Sequence, residues 1–346
     1  MSRTLHGRHR APERFSAKWE LVRRQKARQA RRALAGAAIA ILAGTTLLQA
    51  GPLAAATAQP QRYTTAEAAA EALGRALADG RTEPLVHVLG SKSYPLLISG
   101  DPVEDKASRL SLAEAFARSH RLQADGPDRA ILILGAEAWP YPIPIVRHYP
   151  VPMVHLYGSW TFDVKAGEMQ ILDRRIGRNE MSAMETCRAF VLAQRQFAAR
   201  YGHGAFARKV DSTPGTHDGL YWKAGPAEPQ SPLGPRVAVS EAQGYGAASR
   251  AGAAPLRGYY LRVLTSQGRS APGGAKSYLA GGRMTGGFAL LVWPAKWRDS
   301  GVMTFMINQA GIVFEKNLGP DTARLAPRIE TFDPDTTWRI AETEQR

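Results

Sequence analysis

The chain of 346 residues has a single cysteine, Cys187, which excludes an internal disulfide, a cysteine-rich zinc site and an iron–sulfur cluster. No acidic or basic side chain occurs from residue 33 to 58. The histidines of the body show no H-x-x-x-H or H-x-H spacing, so no metal site is expected. There is no G-x-S-x-G nucleophile elbow. The glycine-rich stretch 271–287 contains Lys276-Ser277 but lacks the G-x-x-x-x-G-K-[ST] of a phosphate-binding loop. No cofactor is expected.

Charge is plentiful but unevenly placed. Of the formal +15, residues 1–32 supply +9, with eleven Lys and Arg against Glu13 and Glu20. The remaining +6 is spread over 59–346, too mild a surplus for a nucleic-acid protein. Behind the basic stretch comes the apolar run 33–48, then Pro52 and the small-x-small site Ala56-Thr57-Ala58. That order reads as an export signal over 1–58. It places the body in the periplasm or outside the cell. The alternative is an uncleaved inner-membrane anchor with the body outside the cytoplasm, in which case only 1–58 touch the membrane. Arg31-Arg32 is compatible with twin-arginine export.

The body reads as α+β in two modules, 59–177 and 178–346, about the number its length suggests. In the first, a helix over 64–79 opens at Thr65 and stops at Gly80. A turn over 99–108 precedes a second helix over 108–119. Strands then follow at 130–135 and 153–156, with a hairpin of 159–164 and 168–173 turning at 165–167. The segment 139–152 carries five prolines and is expected at an edge or surface. In the second module a long helix over 179–201 packs on an antiparallel sheet of 258–265, 287–293, 302–307 and 311–316. Loops 211–235 and 268–287 are rich in turn residues.

Each chemical signal has a plainer competitor. Arg174 and Arg175 could fork onto a phosphate or carboxylate. The favoured reading is an ion-pair network with Asp173, Asn179 and Glu180 that ties a strand end to a helix start. His217-Asp218, with Ser212 upstream, invites a hydrolase mechanism, with Glu180 as a further candidate carboxylate; a turn with Tyr221 and Trp222 packed against it is favoured. The strip bearing Trp139, Tyr141, Arg147, His148 and Tyr149 is rigid through its prolines and offers stacking and cationic groups. With the Asp218–Trp222 turn it is expected to form one contact surface. The function expected is a non-catalytic envelope module that meets a partner protein or wall polymer; the alternative is an exported hydrolase using carboxylates or His217.

A series of blocks carries a resemblance: WPYPIPI (139–145), GSWTFD (158–163), DRRIGRNE (173–180), HDGLYW (217–222), GGFALLVWP (286–294) and LGPDTA (318–323). In this order they resemble the bacterial exported family called domain of unknown function 2950. That resemblance implies export and brings no activity, cofactor or catalytic residue. Residues 179–316 alone resemble pilin-like proteins, which implies a helix rolled on a sheet and a role in contact rather than reaction.

Overall fold

Helix starts and chain reversals in the first half follow local chemistry. The computed structural model describes residues 59–149, 158–225, 228–246 and 254–341. The expected export signal at 1–58 and the strand at 153–156 lie outside them. Helix α1, Ala66–Asp79, begins where the Thr65 hydroxyl accepts a hydrogen bond from the Ala68 N–H, and Gly80 ends it in the left-handed region at φ 78°. Helix α2, Thr82–Leu89, follows at once.

Helix α3 spans Pro102–Arg118 and corrects the reading of 99–108 as a turn. Asp101 is its cap, Pro102 its first residue, and Glu104 and Asp105 sit in the first turn. A capping carboxylate, a proline with no N–H to leave unpaired, and acids near the positive helix end favour starting there.

Strands β1 (His120–Ala124), β2 (Arg129–Leu134), β3 (Trp139–Pro140), β4 (Ile145–His148) and β5 (Ser159–Phe162) build the first sheet. Its order is β1-β2-β4-β5, with β3 paired to β2 and every described pairing antiparallel. The proline segment is therefore only partly at the surface. Trp139 is exposed, but Tyr141, Ile143 and Ile145 alternate inward between prolines and are buried. Leu73, Leu85, Leu132, Ile145 and Phe162 form the first core beneath the helices.

The largest correction concerns 159–173. Only its first arm is a strand. Asp163 then accepts a hydrogen bond from the Ala166 N–H and starts helix α4, Val164–Arg200, 37 residues long. At 1.5 Å per residue α4 is about 55 Å long. Gly167, read as the hairpin turn, is a close approach instead: a Cβ there would stand 2.7 Å from the Pro142 carbonyl oxygen. The helix runs on through Gly177, the expected module boundary.

The second sheet comprises β6 (Tyr259–Leu264), β11 (Ala289–Pro294), β12 (Thr304–Asn308), β13 (Val313–Lys316) and β14 (Arg339–Ile340). They pair antiparallel in the order β14-β13-β12-β11-β6, and α4 packs against them. Short ribbons β7 (Ser266–Gln267) with β8 (Lys276–Ser277), and β9 (Leu279–Ala280) with β10 (Arg283–Met284), organise the glycine-rich stretch. Tyr278 and Met284 anchor it, both fully buried. Helix α5, Gly234–Ala242, precedes β6. The fold class is thus α+β, with helices plus antiparallel sheets.

The helix α4 serves both cores. Val164 belongs to the first, while Ala183, Cys187, Phe190 and Phe197 belong to the second with Phe288 and Phe305. Between them the packing is polar. Arg175, buried, donates to the Asp299 carboxylate and the Leu96 carbonyl. Asn179 donates to the Ser300 carbonyl at 2.9 Å, and Glu180 accepts from the N–H groups of Val302 and Met303. Asp101, 1% exposed, accepts from Val103 and Glu104 at the start of α3, and from the Tyr245 hydroxyl (3.0 Å) and the Gly258 N–H (2.8 Å) of the second half. Among the described residues no helix is long and apolar enough to cross a membrane.

Candidate functional site

The turn-rich loop after α4 closes on itself at its neck. The Ser212 N–H donates to the Tyr221 carbonyl at 2.7 Å, and the Tyr221 N–H to Val210 at 2.8 Å. The closed loop surrounds an open concavity of about 270 Å³ lined by Asp211–Thr216 and Tyr221–Lys223. Ser212, Thr213 and Thr216 line it together with Tyr221 and Trp222. Trp222 stacks on His217 with centroids 4.2 Å apart, and Tyr201 meets Trp222 edge-on at 4.7 Å. Trp222 donates its indole N–H to the Pro229 carbonyl, which satisfies the one polar group of a buried ring.

Three residues named for a hydrolase mechanism sit together here but have other partners. The Ser212 hydroxyl oxygen accepts from the Gly219 N–H at 2.9 Å. Asp218 accepts from the Thr213 N–H (2.8 Å), the Thr213 and Thr216 hydroxyls (both 2.9 Å) and the Lys209 ammonium (2.9 Å). Slight desolvation would raise the Asp218 pKa, but the bonds from Lys209, Thr213 and Thr216 outweigh it and hold the carboxyl below the usual range. His217 spends its ring face on Trp222. The arrangement sets a turn and a wall, in keeping with the plainer reading of HDGLYW.

The other sequence candidates lie elsewhere. Arg174 covers the exposed Trp139 ring at 4.4 Å and donates to the Pro140 carbonyl. Burial, then Arg178 nearby, lowers the Arg174 pKa. Arg147 lies over Trp160 at 4.7 Å, and the Tyr149 hydroxyl donates to Asp128 at 2.6 Å. His148 is exposed at the end of β4. Tyr141 leaves the strip for the core, where burial drives its phenol pKa up. The strip docks on α4 at Arg174 and the closed loop at Tyr201, 27 residues apart. That is about 40 Å along the axis, so the structure does not join them into one surface.

Reasoning from sequence missed Thr213, Thr216 and Lys223 as lining residues of the concavity, and Tyr201 and Lys209 as the side chains that hold Trp222 and Asp218 beside it. The local string DSTPGTHD did signal hydroxyl-to-carboxylate turn bonds. Tyr201 reads only as a helical core position, because its partner Trp222 is remote in sequence. Among the described residues no group of three or more His, Cys, Asp or Glu could hold a metal ion.

A family model described as Protein of unknown function (DUF2950) matches residues 60–341. The chain belongs to that family. No curated protein and no solved structure matches it. The match runs from the segment before α1 to the end of β14, so the DUF2950 unit takes in both cores, α4 and the closed loop.

Proposed function

We propose that this DUF2950 chain is an exported cell-envelope protein that acts by contact with a partner, through the concavity at 211–223. The observation that carries the contact reading is the bonding of Asp218. Its carboxylate is spent on four donors from its own loop, and the neighbouring Ser212 oxygen and His217 ring are likewise engaged. A general base needs a free lone pair aimed at substrate; a rigid recognition loop needs its polar groups tied down. Export rests on the order of basic stretch, apolar run and small-residue site in 1–58.

Fusing residues 1–70 to a reporter active only outside the cytoplasm is expected to give signal, and deleting 33–48 to abolish it. A silent fusion with an intact apolar run overturns export. That outcome leaves the contact reading standing, to be judged by cross-linking at the loop.

A further inference from the structure

One edge of the first sheet is an unpaired strand. The Gly135 N–H donates to the Ser119 carbonyl at 2.8 Å, and the Asp125 N–H to the Arg129 carbonyl at 2.9 Å, at the two ends of the β1–β2 register. The odd-numbered residues of β1 therefore bond to β2. Antiparallel bonding alternates along a strand, so His120, Leu122 and Ala124 turn their N–H and carbonyl groups away from β2. Among the described residues nothing takes up these groups. The opposite edge, β5, is partly covered, since Tyr63 and Trp160 exchange both backbone bonds at 2.9 and 2.8 Å.

β1 has few of the devices that keep a strand edge from pairing. It contains no proline and no lysine, and its register on β2 runs without a bulge. Its one fixed charge is Arg121. His120, Arg121, Gln123 and Ala124 are exposed, and Leu122 is half-buried. The strand is nevertheless held firmly. The His120 ring stacks on Phe116 with centroids 3.9 Å apart, and its nitrogens meet the Phe116 carbonyl and the Glu71 carboxylate at 3.1 and 3.0 Å. Leu122 packs on the first core. An edge already fixed in extended form loses little conformational entropy on pairing.

We infer that β1 pairs antiparallel with β1 of a second copy of this chain, joining the first sheets of two molecules. The symmetry of the free groups selects a second copy. They lie at His120, Leu122 and Ala124, so a two-fold axis at Leu122 sets every one of them opposite another. That register is the longest the edge allows. It places Leu122 opposite its own copy, His120 opposite Ala124, and Arg121 opposite Gln123. Sliding it until Arg121 faces its own copy would oppose two like charges and shorten the pairing. Five paired residues bury less than the roughly 1,600 Å² of a standard interface, so the dimer is reversible and fills as concentration rises.

The test is sedimentation velocity of the full chain over a concentration series, with hydrogen exchange read peptide by peptide at the same concentrations. A monomer–dimer equilibrium is expected, and exchange in a peptide covering 119–125 should slow severalfold as dimer forms. Gln123→Arg sets like charges opposite one another at an exposed position and is expected to raise the dissociation constant severalfold. Gln123→Glu sets a carboxylate opposite Arg121 and should lower it severalfold, with the gain lost at high salt. Ala124→Pro removes an outward N–H at an edge position, where proline is tolerated, and should weaken the dimer about tenfold. If Ala124→Pro disturbs the strand, the two Gln123 variants decide. A monomer at every concentration overturns the inference. A dimer whose 119–125 exchange is unchanged also overturns it, because the contact then lies elsewhere. A shift of both Gln123 variants in the same direction overturns the pairing as well.

Discussion

Replacing Asp101 with Ala is expected to destabilise the protein by about 3–7 kcal/mol, enough to lower the melting temperature by roughly 10 °C. The carboxylate is 1% exposed and accepts from four donors on three separate segments. Truncation removes the cap of α3, worth about 1 kcal/mol. It also strands the Tyr245 hydroxyl and the Gly258 N–H in a buried place, at about 1–3 kcal/mol each. Tyr245→Phe removes one donor and leaves the carboxylate three, so it should cost only about 1 kcal/mol. Thermal melts of the two variants check the account; equal small losses would mean that Asp101 does not bridge the halves.

The second large effect is expected at Phe288, which is fully buried. Its ring meets Phe190 edge-on at 5.7 Å and Phe206 at 4.7 Å, linking α4, the segment after it and the start of β11. Phe288→Ala should cost about 3–5 kcal/mol through lost burial and the cavity left behind. Phe288→Leu keeps most of the volume and should cost about 1.5 kcal/mol or less. Urea unfolding distinguishes them: the midpoint should fall far more for Ala than for Leu, with an unchanged slope. Similar midpoints would place Phe288 at a loosely packed edge.

What was legible in the sequence follows the range over which the physics acts. Strands with near-continuous apolar runs, Ala289–Pro294 and the Phe305-Met306-Ile307 centre of β12, announced themselves, because both faces are buried. Thr65 and Gly80 mark their helix without outside help. The misreading of 168–173 came from Met169 and Ile171, whose alternation looks like a strand while Val164, Gly167, Ile171 and Arg175 keep helical spacing. Met169 is in fact 65% exposed, and the stripe runs through half-buried Ile171 into buried Arg175, Ile176 and Asn179. The start of α3 was readable from Asp101-Pro102 and the acids after it, but Gly100 and Pro102 together argue equally for a turn.

Candidate residues divide in the same way. Arg175, Asn179 and Glu180 were expected in an internal polar network, and their neighbours in the fold are Asp299, Ser300 and Val302. Those partners lie about 120 residues away, so the sequence showed the need for a network and not its members. The Asp218 turn was readable because Thr213 and Thr216 are local. The wall of Tyr201 on Trp222 was not, since only tertiary packing brings a helix end beside a distant loop.

The claim that the protein acts by contact at the closed loop is tested most directly by photo-cross-linking in intact cells. A photoreactive side chain is placed at Thr216 or Lys223, on the rim of the concavity, and a control at Met169, exposed on α4. The expected result is one adduct of defined mass from both rim positions, absent from Met169 and unaffected by His217→Ala beyond a change in yield. No adduct at either rim position, or the same adducts at all three, would contradict the account.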